Sequence, residues 1–223
     1  MGSDEEGRTK VKICGLANLE DARFAAGALA DYLGFIFYRE SPRFIDPARA
    51  GAIIQWIEGP KTVGVFVNAP LDEVNRIAAQ TGIDLIQLHG NESPEYCSLI
   101  DKPVIKALRA EPGNGLDLTR QIQPYRDVVD YLLFDSSDGR NWGGTGKTFD
   151  WSLLNDLQLT TPWFLSGGLN SDNIVDACNR HKPYAVDLSS GLEQAPGIKD
   201  YEKIELFFEK MRTIWNKQND ERQ

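Results

Sequence analysis

The sequence predicts a single-domain α/β fold of the (β/α)8, or TIM-barrel, class. Short apolar runs recur eight times along the chain, signals for helix starts fall between them, and the length of 223 residues is near the lower bound for such a barrel. The runs cover residues 11–13, 32–37, 63–67, 85–88, 104–107, 131–134, 163–165 and 185–188. Most are too short for helices, and their near-continuous apolarity fits strands buried on both faces, as in a parallel sheet.

The connecting stretches carry their own signals. Asn18 precedes Leu19, Ala22, Ala26 and Leu29, which share one helical face. Asp46-Pro47 and Ser93-Pro94 each place a capping side chain before a first-turn proline. Ser171 precedes Ile174, Ala177 and Cys178, and predicts a helix opening there. Asp200 precedes Ile204, Phe207, Phe208, Met211 and Ile214, a 3.6-residue period. Residues 111–127, interrupted by Pro112, Gly113, Gly115 and Pro124, carry the weakest of the helix signals, with a mostly loop segment as the alternative. Residues 1–9 read as a disordered polar extension, 10–216 as the barrel and 217–223 as a polar tail. A doubly wound open sheet is the rival fold. It usually has fewer strands, and for a dinucleotide it needs a glycine-rich first turn that Cys14-Gly15-Leu16 does not supply.

Hydrophobic residues make up 41% and charged residues 26%, enough apolar material for a sizeable core. The net charge of −9 argues against nucleic-acid and anionic-membrane surfaces, so a small molecule is the expected partner. Cys14, Cys97 and Cys178 have neither disulfide-framework nor metal-ligand spacing, and no apolar stretch is long enough to span a membrane. The expectation is a soluble, cytoplasmic protein without metal or cofactor.

A barrel keeps its active site at the C-terminal ends of its strands. The residues that follow the eight runs are Cys14, Ser41-Pro42-Arg43, Asn68, His89-Gly90, Arg109, Asp135, Ser166-Gly167-Gly168 and Ser189-Ser190-Gly191. The last two turns are made of small residues whose N–H groups can approach an oxyanion, so they are the candidate phosphate site; ordinary glycine turns are the alternative. Cys14 and Asp135 stand at strand ends one and six and form a candidate base and acid across the mouth. A buried apolar cysteine and a solvated turn aspartate are their plain alternatives. His89 reads more as a brace of the barrel rim than as a ligand, and His181 as a cation at a helix C-terminus. Trp56, Trp151, Trp163 and Trp215 read as packing residues, whereas Trp142 sits beside a glycine-rich run, Gly143-Gly144-Thr145-Gly146, that could cover a substrate.

Several segments together carry a family resemblance: Lys12-Ile13-Cys14-Gly15, Gly34-Phe35-Ile36-Phe37 with Ser41-Pro42-Arg43, Val63-Gly64-Val65-Phe66-Val67-Asn68, and Gln87-Leu88-His89-Gly90. So do Gly143-Gly144-Thr145-Gly146 with Phe149-Asp150-Trp151, Ser166-Gly167-Gly168-Leu169, and Val186-Asp187-Leu188-Ser189-Ser190-Gly191-Leu192-Glu193 followed by Pro196-Gly197 and Lys199-Asp200. In order, and over nearly the whole chain, they resemble the phosphoribosylanthranilate isomerases of tryptophan biosynthesis. One departure is Ser166, where members often have alanine.

The resemblance implies a cofactor-free Amadori rearrangement, the third step from chorismate to tryptophan. In it Cys14 is the base and Asp135 the acid. Arg43 binds the anthranilate carboxylate, and Gly167, Gly168, Asp187, Ser189, Ser190 and Gly191 bind the substrate. His89, Gly144, Thr145 and Gly146 are candidate loop contacts. The related isomerase of histidine biosynthesis typically carries aspartate where this chain has Cys14, and a non-catalytic sugar-phosphate sensor would need the phosphate loops alone. Oligomeric state is open at this point.

Overall fold

The structure is a computed structural model and describes residues 7–109, 115–135, 151–154, 157 and 159–222. Eight parallel strands close into a barrel in sequence order: β1 (Lys10–Ile13), β2 (Tyr32–Ile36), β3 (Lys61–Phe66), β4 (Leu85–Leu88), β5 (Val104–Arg109), β6 (Tyr131–Asp135), β7 (Trp163–Leu165) and β8 (Ala185–Leu188). Closure is made by β1 on β8, in a register that sets Lys12 beside Asp187.

The helices are α1 (Leu19–Gly27), α2 (Pro47–Ile54), α3 (Leu71–Thr81), α4 (Pro94–Cys97), α5 (Gly115–Ile122), α6 (Ile174–His181) and α7 (Tyr201–Asp220). Between β6 and β7 the described residues hold a 3-10 turn, Trp151–Leu154, and after β8 come a second, Ser190–Leu192, and a small hairpin of β9 (Glu193–Ala195) and β10 (Ile198–Lys199). The four expected caps form: Asn18, Asp46, Ser93 and Asp200 each accept a first-turn backbone N–H.

Strand parity divides the core in two. Val11, Ile13, Leu33, Phe35 and their counterparts face outward and join the helices in one cluster. A second cluster takes Tyr32, Val63, Leu85, Ile105, Ala107, Leu133, Phe164 and Ala185 from β2 to β8. β1 contributes none; on the face opposite Val11 and Ile13 it carries Lys12 and Cys14.

One alternative is resolved and three expectations are corrected. Residues 115–122 are helical rather than loop, because Leu118 and Ile122, one turn apart, both bury against the barrel. α6 opens at Ile174 and not at Ser171, because the Asn170 side chain accepts from the N–H groups of Asp172 and Asn173 and holds that stretch as a turn. Arg8 and Thr9 belong to the folded unit: Thr9 is buried and bonded to Gln218, and Arg8 pairs with Asp31, while α7 runs past residue 216 to Asp220. Trp56 is 72% exposed and packs nothing away, while Trp215 is buried with its Nε1–H on the Thr9 carbonyl. Residues 1–6, Trp142 and the glycine-rich run 143–146 lie outside the described residues.

Candidate active site

At the C-terminal mouth one cavity is lined by Cys14, Tyr38, Ser41, Arg43, Gln87, His89, Asp135, Ser166, Asp187 and Ser189, with Ile36, Val65 and Val67 as its apolar wall. It therefore joins the ends of β1, β2, β3, β4, β6, β7 and β8. The proposed base and acid share this cavity, as do Arg43, Asp187, Ser189 and His89.

Cys14 is buried, with its N–H on the Leu188 carbonyl and its own carbonyl accepting from Lys199 Nζ at 2.7 Å. Burial pushes its thiol above the ordinary range, Lys12 and Lys199 pull it down, and Asp187 opposes them. Cys97 and Cys178 have no place in the cavity, and burial raises their thiols to about 11 and about 12. They are inert packing residues, as their helical positions suggest.

Asp135 ends β6, and His89 Nε2 stands 3.2 Å from its Oδ2. Gln87 Nε2 lies 2.9 Å from His89 Nδ1. Gln87 and Asp135 thus hold the imidazole at its two nitrogens. His89 thus does more than brace the rim: it holds Asp135. His181 ends α6 as expected, and burial and Arg180 push its imidazole downward, toward the neutral form.

Arg43 is buried and donates through Nε and Nη2 to both oxygens of Glu193, at 2.7–3.1 Å. Glu193 also takes Lys199 Nζ at 2.9 Å. Burial alone would raise the Glu193 carboxyl, but Arg43 and Lys199 hold it below its ordinary value. This clasp ties the segment after β2 to the hairpin after β8 and uses one edge of the guanidinium. The opposite, Nη1–Nη2 edge is a second fork suited to a carboxylate.

The two small-residue turns meet closely. A Cβ on Gly191 would stand 2.0 Å from the Leu169 carbonyl oxygen, so only glycine lets the turn after β8 lie against the turn after β7. Gly167 and Gly168 have φ of 91° and 66°, left-handed values that suit glycine. Among the described residues no cluster of His, Cys, Asp or Glu is arranged to hold a metal ion, and no helix is long and apolar enough to cross a membrane.

With this geometry in place, likeness to known proteins is specific. Residues 11–210 match the N-(5'-phosphoribosyl)anthranilate isomerase family. The chain belongs to that family. It is 45% identical over 210 residues to the N-(5'-phosphoribosyl)anthranilate isomerase of Nitrosomonas eutropha, covering 94% of this chain and 99% of that protein. The crystal structure of phosphoribosyl anthranilate isomerase from Thermotoga maritima superposes with a TM-score of 0.84 at 37% identity, over 92% of this chain and 99% of that one. A structure of the isomerase in complex with reduced 1-(o-carboxyphenylamino)-1-deoxyribulose 5-phosphate superposes at 0.80 with 36% identity, over 92% and 99%.

Lys12, Gln87, Glu193 and Lys199 stand in the quoted motifs, yet their roles were not read from them. For Lys12 and Gln87 the signal is parity: each precedes a candidate residue by two on an inward strand face. Glu193 and Lys199 pair across six residues, but the groups they hold at the mouth, Arg43 and the Cys14 carbonyl, are 150 and 185 residues away and leave no local signal.

Proposed function

We propose that this chain converts N-(5-phosphoribosyl)anthranilate to 1-(2-carboxyphenylamino)-1-deoxyribulose 5-phosphate, with Cys14 and Asp135 as the proton-transfer pair. The reading rests on one observation above all: a single cavity gathers a thiol, a carboxyl and an anchored guanidinium at its mouth, beside the two small-residue turns. Asp135, in its acid form, gives its proton to the furanose ring oxygen as the C1–O bond breaks and the anilino nitrogen forms a Schiff base. Cys14, as thiolate, takes the proton from C2, and the C–H electrons form the C1–C2 double bond of an enolamine. The enolamine tautomerises to the ketone. Each turnover takes one proton from Asp135 and adds one to Cys14, and exchange through solvent resets the pair. No external oxidant or reductant is required.

The substrate carries an anion at each end. Its carboxylate meets the open edge of Arg43, and its phosphate the N–H and hydroxyl groups of Gly167, Gly168, Ser189, Ser190 and Gly191. Asp187, at the cavity wall, accepts from a ribose hydroxyl. The partner is this small molecule, and three free cysteines suit a reducing, cytoplasmic setting. Turnover of enzymatically generated phosphoribosylanthranilate, followed by loss of anthranilate fluorescence, tests the reading. Tight substrate binding without turnover would replace it with a sensor.

A further inference from the structure

Below the cavity a charged group sits where a barrel interior is ordinarily apolar. Lys12 is fully buried, and its Nζ donates to Asp187 Oδ1 at 2.8 Å. It precedes Cys14 by two residues on β1, so both side chains point to the barrel axis. A Cβ on Gly34, in neighbouring β2, would stand 2.8 Å from Cys14 Sγ and 3.2 Å from Lys12 Nζ. Thiol and ammonium thus occupy the space left by the missing Gly34 side chain.

We propose that Lys12 is a positioning residue for the isomerisation: its buried ammonium offsets the burial that disfavours the Cys14 thiolate, Asp187 holds that ammonium in place, and Gly34 supplies the room for the contact. A buried thiol otherwise stays protonated and cannot take a proton from carbon. A hydrogen bond and the charge of Lys12 act against burial at Cys14, and Asp187 and Cys14 in turn keep the lysine above its ordinary pKa despite its burial. The other charges facing Cys14 are accounted for. Lys199 stands on its carbonyl and is paired with Glu193, Arg43 is paired with the same carboxylate, and β2 presents Gly34, which has no side chain.

The proposal takes the use of the thiolate from the isomerase reading, but its test needs no substrate. Iodoacetamide alkylates a thiolate, forming a C–S bond and expelling iodide, and peptide mapping isolates the rate at Cys14. At neutral pH, Lys12→Met should slow this alkylation at least about tenfold, the effect of a one-unit rise in the thiol pKa. The rate–pH profile should move to higher pH by the same amount. If Lys12→Met does not fold, Gly34→Ala takes its place, since its methyl pushes Sγ and Nζ apart and should shift the profile in the same direction. A folded Lys12→Met or Gly34→Ala protein with the wild-type profile overturns the proposal. A Lys12-dependent profile in a protein that fails to turn over phosphoribosylanthranilate would refute the isomerase reading alone.

Discussion

Replacing Cys14 by alanine or Asp135 by asparagine should each cut kcat by at least about 10²-fold, the usual contribution of a positioned acid or base. The substituted proteins should keep the wild-type circular dichroism and melting curve. A folded variant that turns over within a few fold of wild type removes that residue from the chemistry. Arg43 makes a sharper case, because the proposal gives its guanidinium two jobs. Its Nε side is fixed by Glu193, and its outer edge is the one assigned to the substrate carboxylate. Arg43→Ala loses a charge-assisted contact worth roughly 1.5–3 kcal/mol, or about 10- to 150-fold in kcat/KM. Glu193 retains Lys199, so the fold should survive. Lysine at position 43 cannot grip Glu193 and a carboxylate together and should recover little. An analogue without the carboxylate decides the role: wild type and Arg43→Ala should bind it about equally, and an undiminished penalty would assign the arginine elsewhere. At this scale the sequence exposed residues at strand ends, Cys14 and Asp135, and Arg43 in the segment after β2. It hid the partners that fix them. Glu193 lies 150 residues from Arg43, and only the closed barrel brings β8 back beside β1 and β2.

The elements were legible where hydrophobic period and capping agree, as in all eight strands and in α1, α2, α4 and α7. They were illegible where local chemistry competes. Gly115 and Pro124 mask the pair Leu118 and Ile122, yet burial of that pair outweighs the weak propensity and α5 forms. At α6 the Asn170 side chain captures the N–H groups that a helix from Ser171 would have used. The turns after β7 and β8 act as one unit, and Gly191 is where they touch. Gly191→Ala drives a methyl into the Leu169 carbonyl and must separate them. If the pair cradles the phosphate, this variant should raise KM and weaken inhibition by inorganic phosphate, each by about tenfold or more, the loss of one or two charge-assisted hydrogen bonds. Alkylation of Cys14 should be nearly unchanged. Phosphate inhibition equal to that of wild type would place the anion elsewhere.

At the scale of the whole molecule the two ends of the barrel divide their work. The C-terminal mouth gathers the site, while the N-terminal end carries a repeated brace. Asp31, Asp84 and Asp130 each stand immediately before an even strand, and each accepts the backbone N–H of the odd strand before it. The bonds run from Val11 N at 2.8 Å, Thr62 N at 2.7 Å and Val104 N at 2.8 Å, and Thr62 Oγ1 adds a second bond to Asp84. The fourth position, before β8, is Tyr184, which has no carboxylate to offer. The brace thus recurs every two strands, and it ties β1, β3 and β5 to their successors. Alanine at Asp84 or Asp130 removes a charge-assisted bond that water partly replaces, a loss of about 1 kcal/mol, which lowers Tm by roughly 2–4 °C in a domain of this size. The braces occupy different strand pairs and share no partner, so the double variant should lower Tm by the sum of the single shifts. Neither change reaches the mouth, and kcat/KM at 25 °C should stay within about twofold of wild type, because the opposite face of such a barrel serves stability. Calorimetry and steady-state rates on the two single variants and the double variant check both halves. A large loss of kcat/KM with Tm preserved would show that the N-terminal braces are coupled to the site, and would end the division of labour argued for the two faces.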